Sequence, residues 1–488
     1  MDIPHRGRIL AGFAVVGVAG LVVALLPGPT GQSTVQGGAG NTAVHLAPVA
    51  AAGPTFTVQP APATAPTSAS AGSTGKAKAG TPKAGGAETI DYLGHKFTVP
   101  ASWQIVDLAK NPSTCVRFDS NTVYLGTPGT QETCPASGVG QTTESMLIQP
   151  AQSAAAASSV DDTTSKQIST TGQGVTITAS YGTDEAQVSS VINSAGLPAP
   201  VAETPAPAPA ATSAVTGTGP VNESGVAQMT QSYSGLGFDA CATPSTATMS
   251  AWGASPFSAV GIYIGGQDRY CAQPNLTSAW ISAEAQAGWH FLPIYVGPQV
   301  VVSGEITSPA AQGVAAANDA VAQAQAIGIG YGSLIYYDME DANYTAAETA
   351  TDTAFLSAWT SQLHALDYLS GIYGSENGTE GALAAAHGSI VEPDVIDVAN
   401  WNGQADDDPG SDPSGYWTGR RVHQFLGGSN DSPSYGGVTI NIDQDYFGLT
   451  AVVPICTFTP SATTAPNPSA SQPVRATPII CHGGPGAP

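Results

Sequence analysis

Charged residues are scarce in this chain. Asp, Glu, Lys and Arg make up only 10% of the 488 residues, and bases are the scarcer, with 13 Lys and Arg against 36 Asp and Glu. The resulting formal net charge of −23 repels phosphate backbones and anionic lipid surfaces. The composition therefore argues against nucleic acid as a partner.

Several catalytic motifs are absent. The chain has no G-x-S-x-G elbow, no H-E-x-x-H zinc motif and no P-loop. Its Gly-rich run AIGIGYGS lies between a helix-like and a strand-like segment, which reverses the order that a phosphate-binding fingerprint needs. We therefore predict neither a metal site nor a cofactor.

Cysteine is infrequent, with six residues and no C-x-x-C pair. The six fall as sequence neighbours: Cys115 with Cys134, Cys241 with Cys271, and Cys456 with Cys481. In an oxidising compartment the simplest arrangement is three local disulfides, although the sequence does not fix their connectivity. In a reducing compartment the same residues would be buried thiols.

One long apolar run stands at the N-terminus. Ile9 to Leu26 has no polar side chain and follows His5, Arg6 and Arg8. A basic start before an apolar run predicts an export segment over residues 1–30, whose length suits a cleaved signal peptide and an uncleaved membrane anchor equally. We predict a secreted or cell-envelope-associated protein that contacts a membrane only through this segment, if it stays uncleaved.

Composition divides the rest of the chain. Residues 31–87 and the Pro/Ala-rich residues 198–224 are predicted to be linkers, and residues 450–488 form a Pro/Ser/Thr-rich tail. Between the linkers, residues 88–197 combine short β-favouring runs with the helix-like segment DEAQVSSVINSAG. They predict a small α+β domain, which we expect to position the protein at its target.

Residues 225–449 alternate strand-like and helix-like segments. LGFDAC, AVGIYIGG, WHFLPIYVG and LIYYDME each precede a helix-like stretch, and the helix after LIYYDME carries one apolar stripe. About eight strand candidates, apolar on both faces, predict a parallel sheet closed into a (β/α)8-like TIM barrel. The expected fold class is thus α/β, with later crossovers that are short of helix.

Acidic residues cluster at the C-terminal ends of these strand candidates. Asp239 closes LGFD, Asp338 and Glu340 close LIYYDME, and Asp443 with Asp445 closes VTINIDQD. In a TIM barrel those ends form the active-site face. Because side chains two positions apart on a strand share a face, Asp338 and Glu340 are expected to point to the same side of the barrel mouth.

Paired carboxyl groups suit the hydrolysis of glycosidic bonds, which needs one protonated acid and one ionised partner. We predict Glu340 as the acid and Asp338 as the group that orients it or stabilises positive charge. Asp239 and Asp443 would complete the floor of the site. Other interpretations stay open: D-x-E also suits a cation ligand or a polar loop start, Asp239 a helix cap, and Asp443 with Asp445 a solvated terminus.

Aromatic and amide side chains near the same strand ends are candidate sugar-binding groups. The predicted substrate-binding residues are Tyr263, Tyr295, Tyr373, Asn400, Trp401 and Gln424. The rings would stack on sugars and the amides would bond hydroxyls, with wall packing as the alternative for the rings. His423 is out of phase with Gln424 and is predicted to face the helices, while the acids of the loop QADDDPGSDPSG form either a solvated turn or a calcium site.

At these residues the chain resembles an exported actinobacterial glycoside-hydrolase-like domain of unknown function, which is itself similar to the family 25 lysozymes. The resemblance rests on GFDAC, FLPIYVG, YYDME, GIYGS, ANWNG, RVHQF and GGVTINIDQDYF. It implies a (β/α)8-like barrel that acts at or near cell-wall polysaccharide. Matching the D-x-E of that family places its essential acid pair on Asp338 and Glu340, its first-strand Asp on Asp239 and its last-strand Asp on Asp443.

These observations predict an exported glycoside hydrolase-like protein that cleaves O-glycosyl bonds of peptidoglycan or a related cell-envelope glycan. Its expected partner is therefore a polysaccharide. The alternative is a non-catalytic glycan-binding or cell-wall-associated module, in which the same cleft holds sugar without cutting it.

Overall fold

A computed structural model describes residues 57–60, 86–151, 156–203, 232–340, 343–409 and 415–450. The predicted export segment and the tail cysteines Cys456 and Cys481 lie outside these residues. Within the described ranges, no helix combines the length and the hydropathy needed to cross a bilayer.

The N-terminal described residues build two sheets and one helix. Their elements are β1 (Thr57–Pro60), β2 (Ala87–Tyr92), β3 (His95–Pro100), β4 (Gln104–Asp107), β5 (Thr122–Leu125), β6 (Ser145–Pro150), β7 (Ser158–Asp162), β8 (Gln167–Gly172), β9 (Val175–Ser180), α1 (Glu185–Ser194) and β10 (Val201–Glu203). The first sheet has the order β1-β2-β3 and the second the order β10-β7-β8-β9-β6-β5-β4. β1 lies inside the segment predicted as a linker and pairs antiparallel with β2.

Helix α1 follows from the sequence pattern. The side chain of Asp184 accepts a hydrogen bond from the Gln187 backbone N–H, which satisfies one of the free donors at the start of the helix. Val188, Val191 and Ile192 are buried on one face and join the same apolar core as strands β2, β3 and β9.

The C-terminal described residues form a closed barrel of eight strands. Their elements are β11 (Tyr233–Asp239), α2 (Thr246–Trp252), β12 (Ala259–Gly265), α3 (Ser278–Ala287), β13 (His290–Tyr295), α4 (Pro309–Ala326), β14 (Leu334–Met339), α5 (Ala346–Ala365), β15 (Leu369–Ser375), α6 (Thr379–Ala385), β16 (Val395–Ala399), β17 (Arg420–Leu426), β18 (Ser434–Tyr435), β19 (Val438–Thr439) and β20 (Asp443–Leu449). The strand order around the barrel is β11-β12-β13-β14-β15-β16-β17-β20.

The last strand corrects the prediction of an all-parallel barrel. The strands from β11 to β17 run parallel to one another, whereas β20 runs antiparallel to both β17 and β11. A parallel return needs a long crossover, usually a helix, but β17 and β20 are joined by a segment that carries only the β18–β19 hairpin. The fold is therefore mixed α/β around a closed eight-stranded barrel.

The helices after the early strands cover the barrel as their apolar patterns predict. Phe355, Leu356, Trp359 and Leu363 of α5 are all buried, and Leu366 packs at the edge of the same core. Helices α4 and α5 approach closely, since a Cβ added at Gly313 would lie 2.3 Å from the Phe355 carbonyl oxygen. A capping box of Thr345 and Glu348 starts α5.

Two of the three predicted disulfides are present, Cys115–Cys134 and Cys241–Cys271. One lies in the N-terminal part and the other follows barrel strand β11, yet their sulfurs pack in one cluster with Tyr270. The Arg117 guanidinium lies 4.0 Å from the centre of the Tyr270 ring. The N-terminal sheets and the barrel thus belong to one compact unit.

These disulfides give a prediction for stability. They close loops of 30 and 19 residues, and on the chain-entropy model each stabilises the fold by about 3 to 4 kcal/mol. We expect the double variant Cys241→Ser/Cys271→Ser to lose that free energy of unfolding in guanidinium denaturation, slightly more than Cys115→Ser/Cys134→Ser. Reduced wild-type protein lacks both bonds and should lose more free energy of unfolding than either variant; a loss below about 1 kcal/mol in either variant would contradict the prediction.

Candidate functional site

The strand directions bring the predicted acids to one rim of the barrel. Asp239 is the last residue of β11, and Asp443 is the first residue of β20. Because these strands are antiparallel neighbours, Asp239 and Asp443 are paired in register at the same level. Asp443 therefore reaches the predicted rim from the start of its strand and not from its end.

Asp239 is the centre of a hydrogen-bond network of predicted site residues. The Tyr263 hydroxyl donates to Asp239 Oδ1 at 2.9 Å, and Gln424 Nε2 donates to Asp239 Oδ2 at 3.1 Å. Gln424 Oε1 in turn accepts from the Tyr373 hydroxyl and from Trp401 Nε1, each at 3.0 Å. Residues from four strands and one loop are thus fixed relative to one another.

Gln299 holds the D-x-E segment in place. Its Oε1 accepts from the Glu340 backbone N–H at 2.8 Å, and its Nε2 donates to the Asp338 carbonyl at 2.9 Å. Gln299 is buried, so these bonds are protected from water. Gln299 was not among the predicted site residues, although it is the first polar side chain after the run FLPIYVG, in which β13 ends.

Burial dominates the electrostatics of the acids behind the rim. Asp338 is 2% exposed, and its Oδ1 has no hydrogen-bond partner among the described residues. Burial raises the pKa of Asp338 well above its usual range, and the charges of Glu340 and Asp239 raise it further. Burial and the charge of Asp443 likewise raise the pKa of Asp239, while the bond from Tyr263 opposes the shift.

Two more carboxyl groups, Asp397 and Asp445, lie inside the barrel and were not among the predicted catalytic residues. Both are almost completely buried, and both oxygens of Asp445 lack a hydrogen-bond partner within the described ranges. Burial raises the pKa of Asp397 to about 8 and that of Asp443 to about 6. The alternative of a solvated terminus at Asp443 and Asp445 is therefore wrong.

A cleft of about 390 Å³ opens at this rim. It is lined by Glu340, Tyr373, Ser375, Glu376, Asn377, Ala399, Asn400, Trp401 and Gln424. Among the four predicted catalytic acids, Glu340 alone is part of that lining. Trp401 is 55% exposed beside the cleft, so an apolar ring and a carboxyl group face the same space.

Asn400 and Glu376 are joined in the cleft wall. Asn400 Nδ2 donates to Glu376 Oε2 at 2.9 Å and to the Pro409 carbonyl at 2.7 Å. The amide that was predicted to bind sugar hydroxyls thus also ties the loop after β16 to the loop after β15. Glu376 was missed because it follows the strand-like run GIYGS in a segment with no other acidic pattern.

Tyr295 and His423 do not lie where the sequence predicted them. Tyr295 is fully buried away from the cleft, where its hydroxyl donates to Asp319 Oδ2 at 2.6 Å and its ring lies against Trp359 of α5. It therefore belongs to the layer between barrel and helices. His423 was predicted to face helices, but its ring nitrogens lie 2.8 Å from the carbonyl oxygens of Asp406 and Asn400, because a loop covers β17 there.

In the part of the chain that the structure describes, no group of three or more His, Cys, Asp or Glu side chains is arranged to hold a metal ion. The carboxyl cluster is instead surrounded by tyrosine and glutamine side chains.

Comparisons with known proteins address the barrel. Residues 250–447 match the model of the Rv2525c-like, glycoside hydrolase-like domain family, which confirms the family resemblance noted in the sequence. No curated protein matches the chain.

Solved structures give weaker likenesses. An uncharacterized B. stearothermophilus protein is 18% identical, with 43% of this chain and 94% of that chain covered and a TM-score of 0.32. The Tat-secreted protein Rv2525c of Mycobacterium tuberculosis is 15% identical, with 43% and 92% covered and a TM-score of 0.32. The modular autolysin LytC of Streptococcus pneumoniae is 11% identical, with 44% and 46% covered and a TM-score of 0.31.

The buried Asp397 predicts a pH dependence of stability. Its folded pKa of about 8 exceeds the value of about 3.9 for an unfolded aspartate. Its contribution to the free energy of unfolding is therefore complete below pH of about 4 and is lost as the pH rises towards about 8, by up to about 1.4 kcal/mol per pH unit. We expect Asp397→Asn to lose less stability than wild type over that window in urea denaturation.

The matched control is Asp91→Asn, which changes an exposed aspartate paired with Lys96 on the surface. That variant should follow the wild-type pH profile, since surface ion pairs contribute little. Parallel profiles for Asp397→Asn and wild type would show that Asp397 does not carry this dependence.

Proposed function

We propose that this chain is an exported glycoside hydrolase that cleaves glycosidic bonds of peptidoglycan or a related cell-envelope glycan, on a barrel related to the (β/α)8 TIM fold. The observation that carries the proposal is the position of Glu340 in an open cleft, with Asp338, Asp239 and Asp443 behind it on the same rim. The match of residues 250–447 to a glycoside hydrolase-like family supports it.

The four acids have different roles in the proposed reaction. Glycoside hydrolysis needs a proton for the leaving oxygen and a negative charge for the oxocarbenium-like transition state. Glu340 lies in the cleft and is the proton donor. Negative charges on Asp338 and Glu340 repel each other, so the pair retains a proton.

Asp443 is the proposed source of negative charge. Its pKa of about 6 leaves it ionised at neutral pH, whereas the pKa values of Asp239 and Asp338 are raised further and favour their neutral forms. The Gly428 backbone N–H donates to Asp443 Oδ1 at 2.7 Å and stabilises this charge.

The sugar would be held by the open side of the cleft. The Trp401 indole is fixed by its bond to Gln424 and by the backbone beneath it, since a Cβ at Gly427 would lie 2.8 Å from the ring. An exposed aromatic ring offers a flat apolar surface for the C–H face of a sugar. Tyr373 lines the cleft beside it.

A non-catalytic glycan-binding module is the second candidate function. The observation that favours it is the burial of Asp239 and Asp338. Of the four predicted catalytic acids, only Glu340 lines the cleft. In that case the same surface would bind the glycan, and no product would form.

The two disulfides support a site of action outside the cytoplasm, because such bonds persist in oxidising compartments. Export through residues 1–30 and a polysaccharide partner are part of the same proposal.

The first test replaces the proposed acid. Glu340→Gln keeps the shape of the side chain but removes the transferable proton, so we expect reducing-end release from cell-wall glycan to fall by about 10²- to 10⁴-fold. Thermal unfolding verifies that the variant is folded. Glu392→Gln, which lies before β16 at the opposite rim, is the matched control and should release product normally; full activity in Glu340→Gln would remove Glu340 from the mechanism.

The second test addresses the aromatic surface. Trp401→Ala should raise KM by about fivefold, equivalent to about 1 kcal/mol of stacking, with a smaller effect on kcat. Trp401→Phe keeps a ring and should lose less. Tyr331→Ala changes another exposed aromatic, 40% exposed before β14 at the opposite rim, and should leave KM unaltered; equal KM values for Trp401→Ala and Tyr331→Ala would contradict the assignment.

A further inference from the structure

Residues 131–143 of the N-terminal part lie across the barrel rim. On the β20 and β11 side, the Asn441 backbone N–H donates to the Glu132 carbonyl at 2.7 Å, and the Ala136 backbone N–H donates to Asn441 Oδ1 at 2.7 Å. Glu132 Oε1 accepts from the Thr248 hydroxyl at 2.7 Å. The segment is therefore anchored just before β20 and on helix α2, the element that follows β11.

The same segment continues over the end of β12. The Tyr270 hydroxyl donates to the Ser137 carbonyl at 2.8 Å, and the Gly140 backbone N–H donates to the Asp268 carbonyl at 3.0 Å. The Thr142 hydroxyl donates to the Gln267 carbonyl at 2.9 Å. Two of these bonds use backbone carbonyls of the loop that follows β12, and the third uses the Tyr270 side chain of the same loop.

Beyond β12, the segment reaches the loop after β13. Gln141 Nε2 donates to Glu305 Oε1 at 3.2 Å, and Glu305 Oε2 accepts from the Gln299 backbone N–H at 2.8 Å. Gln299 is the residue that holds the D-x-E segment. The N-terminal part is thus connected by hydrogen bonds to the backbone of the proposed acid pair.

Over the end of β12 and the loop after it, the segment packs too closely to leave space for a ligand. A Cβ at Gly138 would lie 3.0 Å from the Tyr263 ring, and one at Gly140 would lie 2.8 Å from the Tyr270 ring. Tyr263 and Tyr270 are each only 5% exposed. The segment lies flat on the aromatic side chains that back Asp239.

The cleft opens over the other half of the rim. All of its lining residues belong to, or follow, β14, β15, β16 and β17. In the strand order of the barrel, these four are consecutive, and the covered strands β20, β11, β12 and β13 are the remaining four. The boundary between the two halves passes beside Glu340.

We propose that this cleft is closed on one side by residues 131–143 and therefore binds the end of a glycan chain, not its middle. The proposal rests on the proposed function, since the ligand is a glycan in both. A polymer lying across the rim would have to displace the anchored segment. The cleft volume of about 390 Å³ is at the small end of ligand sites, about 300 to 1,000 Å³, which suits a short terminal stretch.

The binding test uses the full chain with Glu340→Gln and soluble glycan strands freed of stem peptides. Four sets are compared by calorimetry: unblocked strands, strands with a bulky group on the reducing end, strands with an added sugar on the non-reducing end, and strands blocked at both. Strands blocked at both ends should bind roughly tenfold or more weakly than unblocked ones, the scale of a steric misfit in a binding site. The singly blocked set that shows the same loss identifies the end that is bound.

Equal affinity for unblocked and doubly blocked strands, or no binding of either, overturns the proposal. The wild-type chain provides the second readout, the lengths of the products over time. Release of one short product from the first time points supports end binding, whereas a spread of intermediate lengths shows internal cutting and overturns it while leaving the hydrolase function intact. Binding that depends on a free chain end, with no product formed, would contradict the hydrolase function but support the end-binding site.

Discussion

The burial of carboxyl groups inside the barrel is the constraint on which the site depends. Asp239, Asp338, Asp397, Asp443 and Asp445 are all less than 10% exposed, and no ion pair among the described residues includes any of them. Removing water without supplying a cation disfavours the ionised forms. Protons must therefore remain within the cluster, and the bond from the Gly428 backbone N–H favours Asp443 as the site of negative charge.

The alternation of apolar runs predicted most of the barrel, because strands covered by helices are apolar on both faces and their helices carry one apolar stripe. The D-x-E pair was predictable from the two-residue period of a strand. The direction of β20 was not predictable in this way, because it follows from a connection too poor in helix to cross the barrel. Tyr295 was misplaced because a fully apolar strand gives no signal of which face each aromatic residue occupies.

The residues that the sequence analysis missed share a physical reason. Gln299 acts through backbone atoms of a distant segment, and Asp397 is an isolated acid inside the apolar run VIDVA. Residues 131–143 carry no periodic pattern, and their contacts are made mostly by backbone groups and glycines. Such contacts depend on tertiary position, which local composition does not encode.

The orientation of the Gln424 amide determines where a proton lies on Asp239. Its Oε1 receives two donors, Tyr373 and Trp401, so its amide nitrogen must face Asp239 Oδ2 as a donor. When Asp239 is neutral, its hydrogen is then directed to Oδ1, and the Tyr263 hydroxyl there rotates from donor to acceptor. The orientation of the Tyr263 hydroxyl therefore depends on the charge of Asp239. The orientation of the Gln424 amide determines which of the two Asp239 oxygens carries the hydrogen.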